Sequence, residues 1–247
     1  WLGALIGSLY ILLQREKLLA MPSLSRLLPD WQQILKIGTP AALSNAMNPL
    51  AGAVLMMLLA SHGTAAVAAY GAAQRIESIL ILVLMSLTSA LTPFMAQNFG
   101  AGNPQRSFGG LFLSMRFSIA FQFLVFLAMV PLSVPLAALF SQEQAVRDLL
   151  WHYLLVVPFS YGFQGTVMML VSGLNALHKP LNAFQWSFMR LFVFTLPSAW
   201  LGSQLYDVEG LFGGIALGNI LGGLFGYLYA LRLRRQHHSL RSSEPLT

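Results

Sequence analysis

Six stretches of this chain are each long enough to cross a bilayer and almost free of charge. They cover residues 37–60, 64–94, a region ending in 117–132, then 149–177, 181–205 and 210–231. About 20 apolar residues in a helix span the roughly 30 Å hydrocarbon core. Lipid offers no water to the backbone N–H and C=O groups, so such runs cross as helices. Composition agrees: 56% of the 247 residues are hydrophobic and 9% charged, where a soluble domain carries about 25% charged. A partial run, "WLGALIGSLYILL" at 1–13, lacks the charged lead of a signal peptide and reads as the end of a truncated helix. The expected fold is therefore all-α and integral to a membrane. Its parts are the partial helix (1–13), a linker (14–31), a six-helix body (32–235) and a polar tail (236–247).

The formal net charge of +6 invites a nucleic-acid partner, but the placement of the 14 Lys and Arg argues against one. Arg15, Lys17, Arg26 and Lys36 precede the first full span. Arg106 and Arg116 follow the second, Lys179 and Arg190 the fourth, and Arg232, Arg234, Arg235 and Arg241 the sixth. Alternate connections thus collect the basic residues, leaving Arg147 on the opposite side and Arg75 inside a span. Cytoplasmic loops carry this excess, so the linker and the C-terminus are expected to be cytoplasmic.

Within the spans, a few polar groups stand out. "PAALSNAMNP" places Ser44, Asn45 and Asn48 on one helix face between Pro40 and Pro49. Hydrogen bonding to another helix and lining of a substrate pathway are both open for that face. Pro158, Gly162 and Gly165 predict a bend in the fourth span, with Tyr161 and Gln164 offering hydrogen bonds to a ligand. Glycines at 210, 214, 218, 222 and 226 form a stripe along one face of the last span, where a second helix can approach closely. "AAQRIES" holds Gln74, Arg75 and Glu77, and Glu77 is the lone carboxylate inside a span. Arg75 and Glu77 point about 200° apart, so they cannot pair directly. Either both face a cavity, or they sit at the interface, where snorkelling accounts for them. His62 and His152 lack a second ligand one turn away. No HExxH, P-loop or GxSxG occurs, the adjacent His237 and His238 lie in the tail, and there is no cysteine. Nothing here points to a metal, a cofactor or an enzyme.

"KIGTPAALSNAMNPL" (36–50), "AVAAYGAAQRIESI" (66–79), "LTPFMAQNFGAGNPQRS" (91–107) and "SGLNALHKPLNA" (172–183) together resemble the multidrug and toxic compound extrusion (MATE) family. The likeness is strongest to its bacterial DNA-damage-inducible branch. The resemblance implies twelve helices in two six-helix lobes, with this chain as the C-terminal lobe, helices seven to twelve, after the end of helix six. It also implies a cation-driven antiporter of the bacterial inner membrane that exports cationic or amphipathic compounds by alternating access. The partners it implies are those compounds, membrane lipids and an N-terminal lobe. In the sodium-coupled branch, carboxylates stand where this chain has Asn48 and, in an ungapped alignment, Gly165. An amide cannot carry a proton and holds sodium more weakly. The resemblance implies that the proton-coupled branch has its main titrating aspartate in helix one, outside these residues. Proton coupling through such a residue is therefore expected rather than sodium. Asn45, Asn48, Gln74, Arg75, Glu77, Tyr161 and Gln164 are the expected pathway residues. Two other readings remain: a lipid-linked saccharide flippase of related fold, which favours several cations in its cavity, and a non-transporting membrane module.

Overall fold

The computed structural model describes residues 2–15 and 24–242. Linker residues 16–23, tail residues 243–247 and the side chains of His237 and His238 lie outside that set. Two compact units meet at Thr39/Pro40. The first holds α1 (Leu2–Tyr10), which runs into a π-helical turn at Ile11–Arg15 and exposes Leu2, Leu5, Ile6 and Leu9.

The second unit begins at Pro40, part-way along the helix Leu24–Ala60, and every described element in it is helical. After α2 (Leu24–Ala60) come α3 (Thr64–Leu80) and α4 (Leu82–Gly100), which form one broken span bent by 45°. Next are α5 (Pro104–Phe140), α6 (Gln144–Val156) and α7 (Tyr161–Ala176), the last two separated by a 3-10 turn at Pro158–Ser160. Then α8 (Pro180–Phe188), a π-helical turn at Met189–Thr195 and α9 (Leu196–Ser242) complete the chain. The helical axis of α9 breaks at Tyr206 and Asp207, so the run from Pro180 to Gln236 doubles back and crosses twice. Counting that fold-back as two, the described residues form six helical passes long enough to span, matching the number of apolar runs.

The hairpin from Pro180 to Gln236 owes its tightness to glycine. A Cβ on Gly202 would strike the Gly210 carbonyl, one on Gly214 the Ser198 carbonyl, and one on Gly218 the Thr195 backbone. A Cβ on Gly222 would come within 3.2 Å of Arg190 Cγ. The paired numbers fall as the partners rise, as in an antiparallel pair, and backbones touch where side chains would hold them apart. Gly226 faces Leu170, Val167 and Trp186, so the stripe continues onto α7 and α8.

Two reversals on one side of the bundle share a cap. After α4, Asn103 N–H donates to the Asn98 carbonyl at 2.9 Å, with Gly102 at φ 76° and Pro104 opening the next helix. After α7, Lys179 N–H donates to the Leu174 carbonyl at 2.9 Å, with His178 at φ 55° and Pro180 next. Both follow the left-handed termination that satisfies the last carbonyls of a helix. Glycine takes this conformation freely, whereas His178 holds it against its own Cβ.

Two polar residues of α5 serve the breaks in neighbouring helices. Gln122 donates through Nε2 to the Leu80 carbonyl at 2.8 Å, at the bend between α3 and α4. Ser118 donates to the Gly162 carbonyl at 3.1 Å, just past the 3-10 turn. A backbone carbonyl away from water needs a donor; Gln122 supplies one at Leu80, and Ser118 shares the Gly162 carbonyl with the Thr166 hydroxyl, also at 3.1 Å. The sequence expects the second break, from Pro158. The first carries no proline or glycine, and its only trace is Gln122 inside an apolar run. Away from this polar stripe α5 is largely exposed, with Leu113, Phe117, Phe123, Leu124, Leu127 and Leu139 turned outward, as a lipid-facing helix requires.

Candidate substrate and ion site

A cavity of about 430 Å³ lies in the second unit, lined from α2, α3, α4, α6, α7, the π-helical turn and α9. The wall omits α5. Three breaks in regular helix border it: the α3–α4 bend, the turn before α7 and the π-helical turn. Irregular backbone at membrane depth is tolerated where it lines a cavity.

Glu77 stands at the centre of the polar wall. Tyr153 donates its hydroxyl to Glu77 Oε2 at 3.1 Å, and Gln164 Nε2 donates to Oε1 at 3.4 Å. The Tyr153 and Tyr161 hydroxyls lie 3.2 Å apart, and both rings are 1% exposed. Tyr70 meets the Tyr153 ring edge-on at 6.1 Å. From α9, Asn219 donates to Gln164 Oε1 at 3.4 Å and to Ser160 Oγ at 3.1 Å, which ties the broken helix to the hairpin. A carboxylate in a low-dielectric site needs such donors, and each here comes from a different helix of the bundle.

Arg190 faces the same space from the π-helical turn and is 7% exposed. Its Nη2 donates to Asn48 Oδ1 on α2 at 2.6 Å. Thr195 donates its hydroxyl to the Arg190 carbonyl at 2.8 Å, five residues back, and so holds the wide turn. Sequence reading groups Arg190 with the basic connections. The structure instead buries it beside the cavity, because the wide turn and the glycine seam rotate the hairpin so that this position faces inward.

Of the seven residues expected along a pathway, Asn48, Gln74, Glu77, Tyr161 and Gln164 line the cavity. Asn45 and Arg75 do not, and both are exposed. The pair in "AAQRIES" therefore parts: Glu77 turns in and Arg75 turns away. Gly165 also lies off the wall, because a Cβ there would strike Ser118 Oγ and meet Leu84 Cδ1 at 2.6 Å. Gln164, one residue before it, is the side chain that reaches the space. Tyr70, Tyr153, Arg190 and Asn219 complete the polar set. Of these only Arg190 carried a sequence signal, as a charge inside the 181–205 run. Among the described residues no three His, Asp or Glu side chains are grouped as a metal would require.

Comparison with known proteins follows the same lines. Residues 40–201 match the MatE family. The FAD transporter of Shewanella oneidensis is 41% identical over 235 residues, which cover 94% of this chain and 52% of that protein. The multidrug export protein MepA of Staphylococcus aureus is 25% identical over 203 residues, 82% of this chain and 44% of that protein. The crystal structure of the Vibrio cholerae MATE transporter VcmN in its bent form superimposes with a TM-score of 0.81 at 35% identity, covering 85% of this chain and 48% of that one. The chain thus spans about half the length of the relatives it matches. With a family match over most of its spans, a six-crossing helical body and a polar cavity walled by broken helices, the chain is a multi-pass membrane protein and belongs to the MatE family of transporters.

Proposed function

We propose that the chain is the C-terminal lobe of an antiporter of the DNA-damage-inducible type, which exports cationic or amphipathic organic compounds across the bacterial cytoplasmic membrane. An N-terminal lobe completes the cavity, and rocking of the lobes gives alternating access, as in other repeat-built transporters. The observation that carries this reading is Glu77, a carboxylate inside the spans that opens onto an aromatic-walled cavity. Ionised, it attracts a cation or an N–H donor. Protonated, it loses that charge and releases the group, so cargo and proton exclude one another, as antiport needs. The groups around it are Tyr70 on its own helix, Tyr153 on α6, Tyr161 and Gln164 on α7, and Arg190 across the cavity. A proton, rather than sodium, is the coupling ion in this reading, because among the described residues no second carboxylate stands beside Glu77 to help hold a metal cation.

The test is dye transport by the full-length protein in proteoliposomes under imposed proton or sodium gradients. A proton gradient drives export, and Glu77→Gln abolishes the pH dependence. Export by neither gradient sinks the antiporter reading. An unchanged pH profile in the variant removes the proton from Glu77.

A second reading has one specific support: the relative at 41% identity is named for FAD. FAD pairs an aromatic ring system with phosphates, and Arg190 supplies a positive charge to this cavity. A saccharide-lipid flippase is less well served, since one arginine is a single cation where that cargo calls for several.

A further inference from the structure

Arg190 has no part in the proton exchange above, yet it is the most costly residue in the cavity. It lies ten residues after Pro180, about 15 Å along the helix at 1.5 Å per residue, which is half the roughly 30 Å hydrocarbon thickness. An arginine at that depth is expensive, and intramembrane charges mark substrate or ion pathways.

Its surroundings keep the charge available. The partner is Asn48, a neutral amide, at 2.6 Å. An amide orients a guanidinium without neutralising it. Among the described residues the guanidinium makes no other hydrogen bond and no ion pair; Glu77 acts on it only through its field across the cavity, its oxygens being engaged by Tyr153 and Gln164. A guanidinium has five N–H donors in a planar fork that fits a carboxylate or phosphate, and most of them remain unused. The side chain is also held in place: Gly222 leaves space for its stem that a Cβ there would crowd, at 3.2 Å from Cγ, and Thr195 pins its carbonyl. A fixed, under-coordinated cation facing a cavity is a preorganised anion site.

We propose that Arg190 anchors an acid group of the cargo, so that this cavity takes amphoteric aromatic compounds. A phosphate or carboxylate sits on Arg190, an N–H donor sits on Glu77, and Tyr70, Tyr153 and Tyr161 pack the rings between them. The inference rests on the cavity being the transport site. It narrows the cargo from cationic compounds to those that also carry an acid.

Asn48→Asp is the sharpest test. It preserves the tie between α2 and the π-helical turn, and strengthens it, but cancels the charge of Arg190. Arg190→Gln removes the charge directly. Transport is followed with the full-length protein in proteoliposomes using four probes: FAD as a phosphate, a carboxylated xanthene dye as a carboxylate, riboflavin as the uncharged ring system, and ethidium as a cation. The wild type moves at least one anion in preference to riboflavin, and which anion it moves identifies the acid. In both variants the anion-to-ethidium ratio falls about ten- to a hundredfold, the range for losing one charge-assisted hydrogen bond. A ratio that does not move in Asn48→Asp overturns the anchor and leaves Arg190 as a structural tie. A wild type that moves ethidium and neither anion overturns the anchor alone. A wild type that moves none of the four overturns the transport reading with it.

Discussion

The hairpin of α8 and α9 has a dry side and a wet side, and they are built on opposite rules. Along the seam, backbone meets backbone at Gly202, Gly210, Gly214 and Gly218, with no space for a methyl group. Around the corner, Arg190 and Asn219 look into an open space, each tied by a hydrogen bond to a side chain far away in the sequence. The seam is held by shape alone, the wall by charge and hydrogen bonds. One depends on the other: Gly222 sits against Arg190 Cγ, so the close seam fixes where the cation points.

This contrast can be broken most strongly at the seam. Gly214→Leu drives a side chain into the Ser198 backbone, and overpacking against backbone costs several kcal/mol. Folded protein is expected to vanish from detergent extracts. At Gly213, one residue on, a Cβ meets nothing within 4 Å, and Gly213→Ala is expected to leave the yield intact. Equal yields from the two variants would show that the seam tolerates spreading.

On the wall, the expected loss is activity rather than fold. Glu77→Gln keeps the shape and the Tyr153 contact but removes the titrating group. Gradient-driven transport is expected to drop at least about tenfold, in keeping with the loss of one strong charge-assisted contact, and its slope with pH to flatten. Melting in detergent is expected to shift little. A large drop in melting temperature would place Glu77 among the structural residues instead.

A smaller effect is expected at the α3–α4 bend. Gln122→Leu strips the donor from the Leu80 carbonyl. Interhelical hydrogen bonds in membranes average about 0.6 kcal/mol and reach about 2, so a melting shift of a few degrees is expected. The smallest effect belongs to Arg75→Gln, outside the cavity, where transport is expected to stay within about twofold, as for an ordinary surface change. A strong loss there would extend the pathway beyond the wall described above.

Much of the fold was legible in the chain. Lipid leaves the backbone only helices and closed barrels, and continuous apolar runs of this length fit the helix, so the runs alone predicted the crossings. A glycine every fourth residue lies on one face of a helix, so the seam was visible as a stripe. Pro158 announced the break before α7. The α3–α4 bend was not legible, because its cause is a side chain on another helix rather than a residue at the bend.

The site divides in the same way. Glu77 stood out by sequence because an intramembrane carboxylate is rare and costly. Tyr70, Tyr153 and Asn219 did not, since a tyrosine or asparagine in an apolar run looks the same whether it faces lipid, a helix or a cavity. Gln164 and Gly165 differ by one residue, which on a helix is a rotation of about 100°. Only packing against Ser118 decides which of the two reaches the space. What the sequence determined by itself is the set of crossings, the close-packing face and the acid, because lipid and sterics act on residues locally. Tertiary structure alone decided that Arg75 turns away and Arg190 turns in, because the direction of a side chain depends on a helix rotation set by its neighbours, here a π-helical turn wedged against glycine.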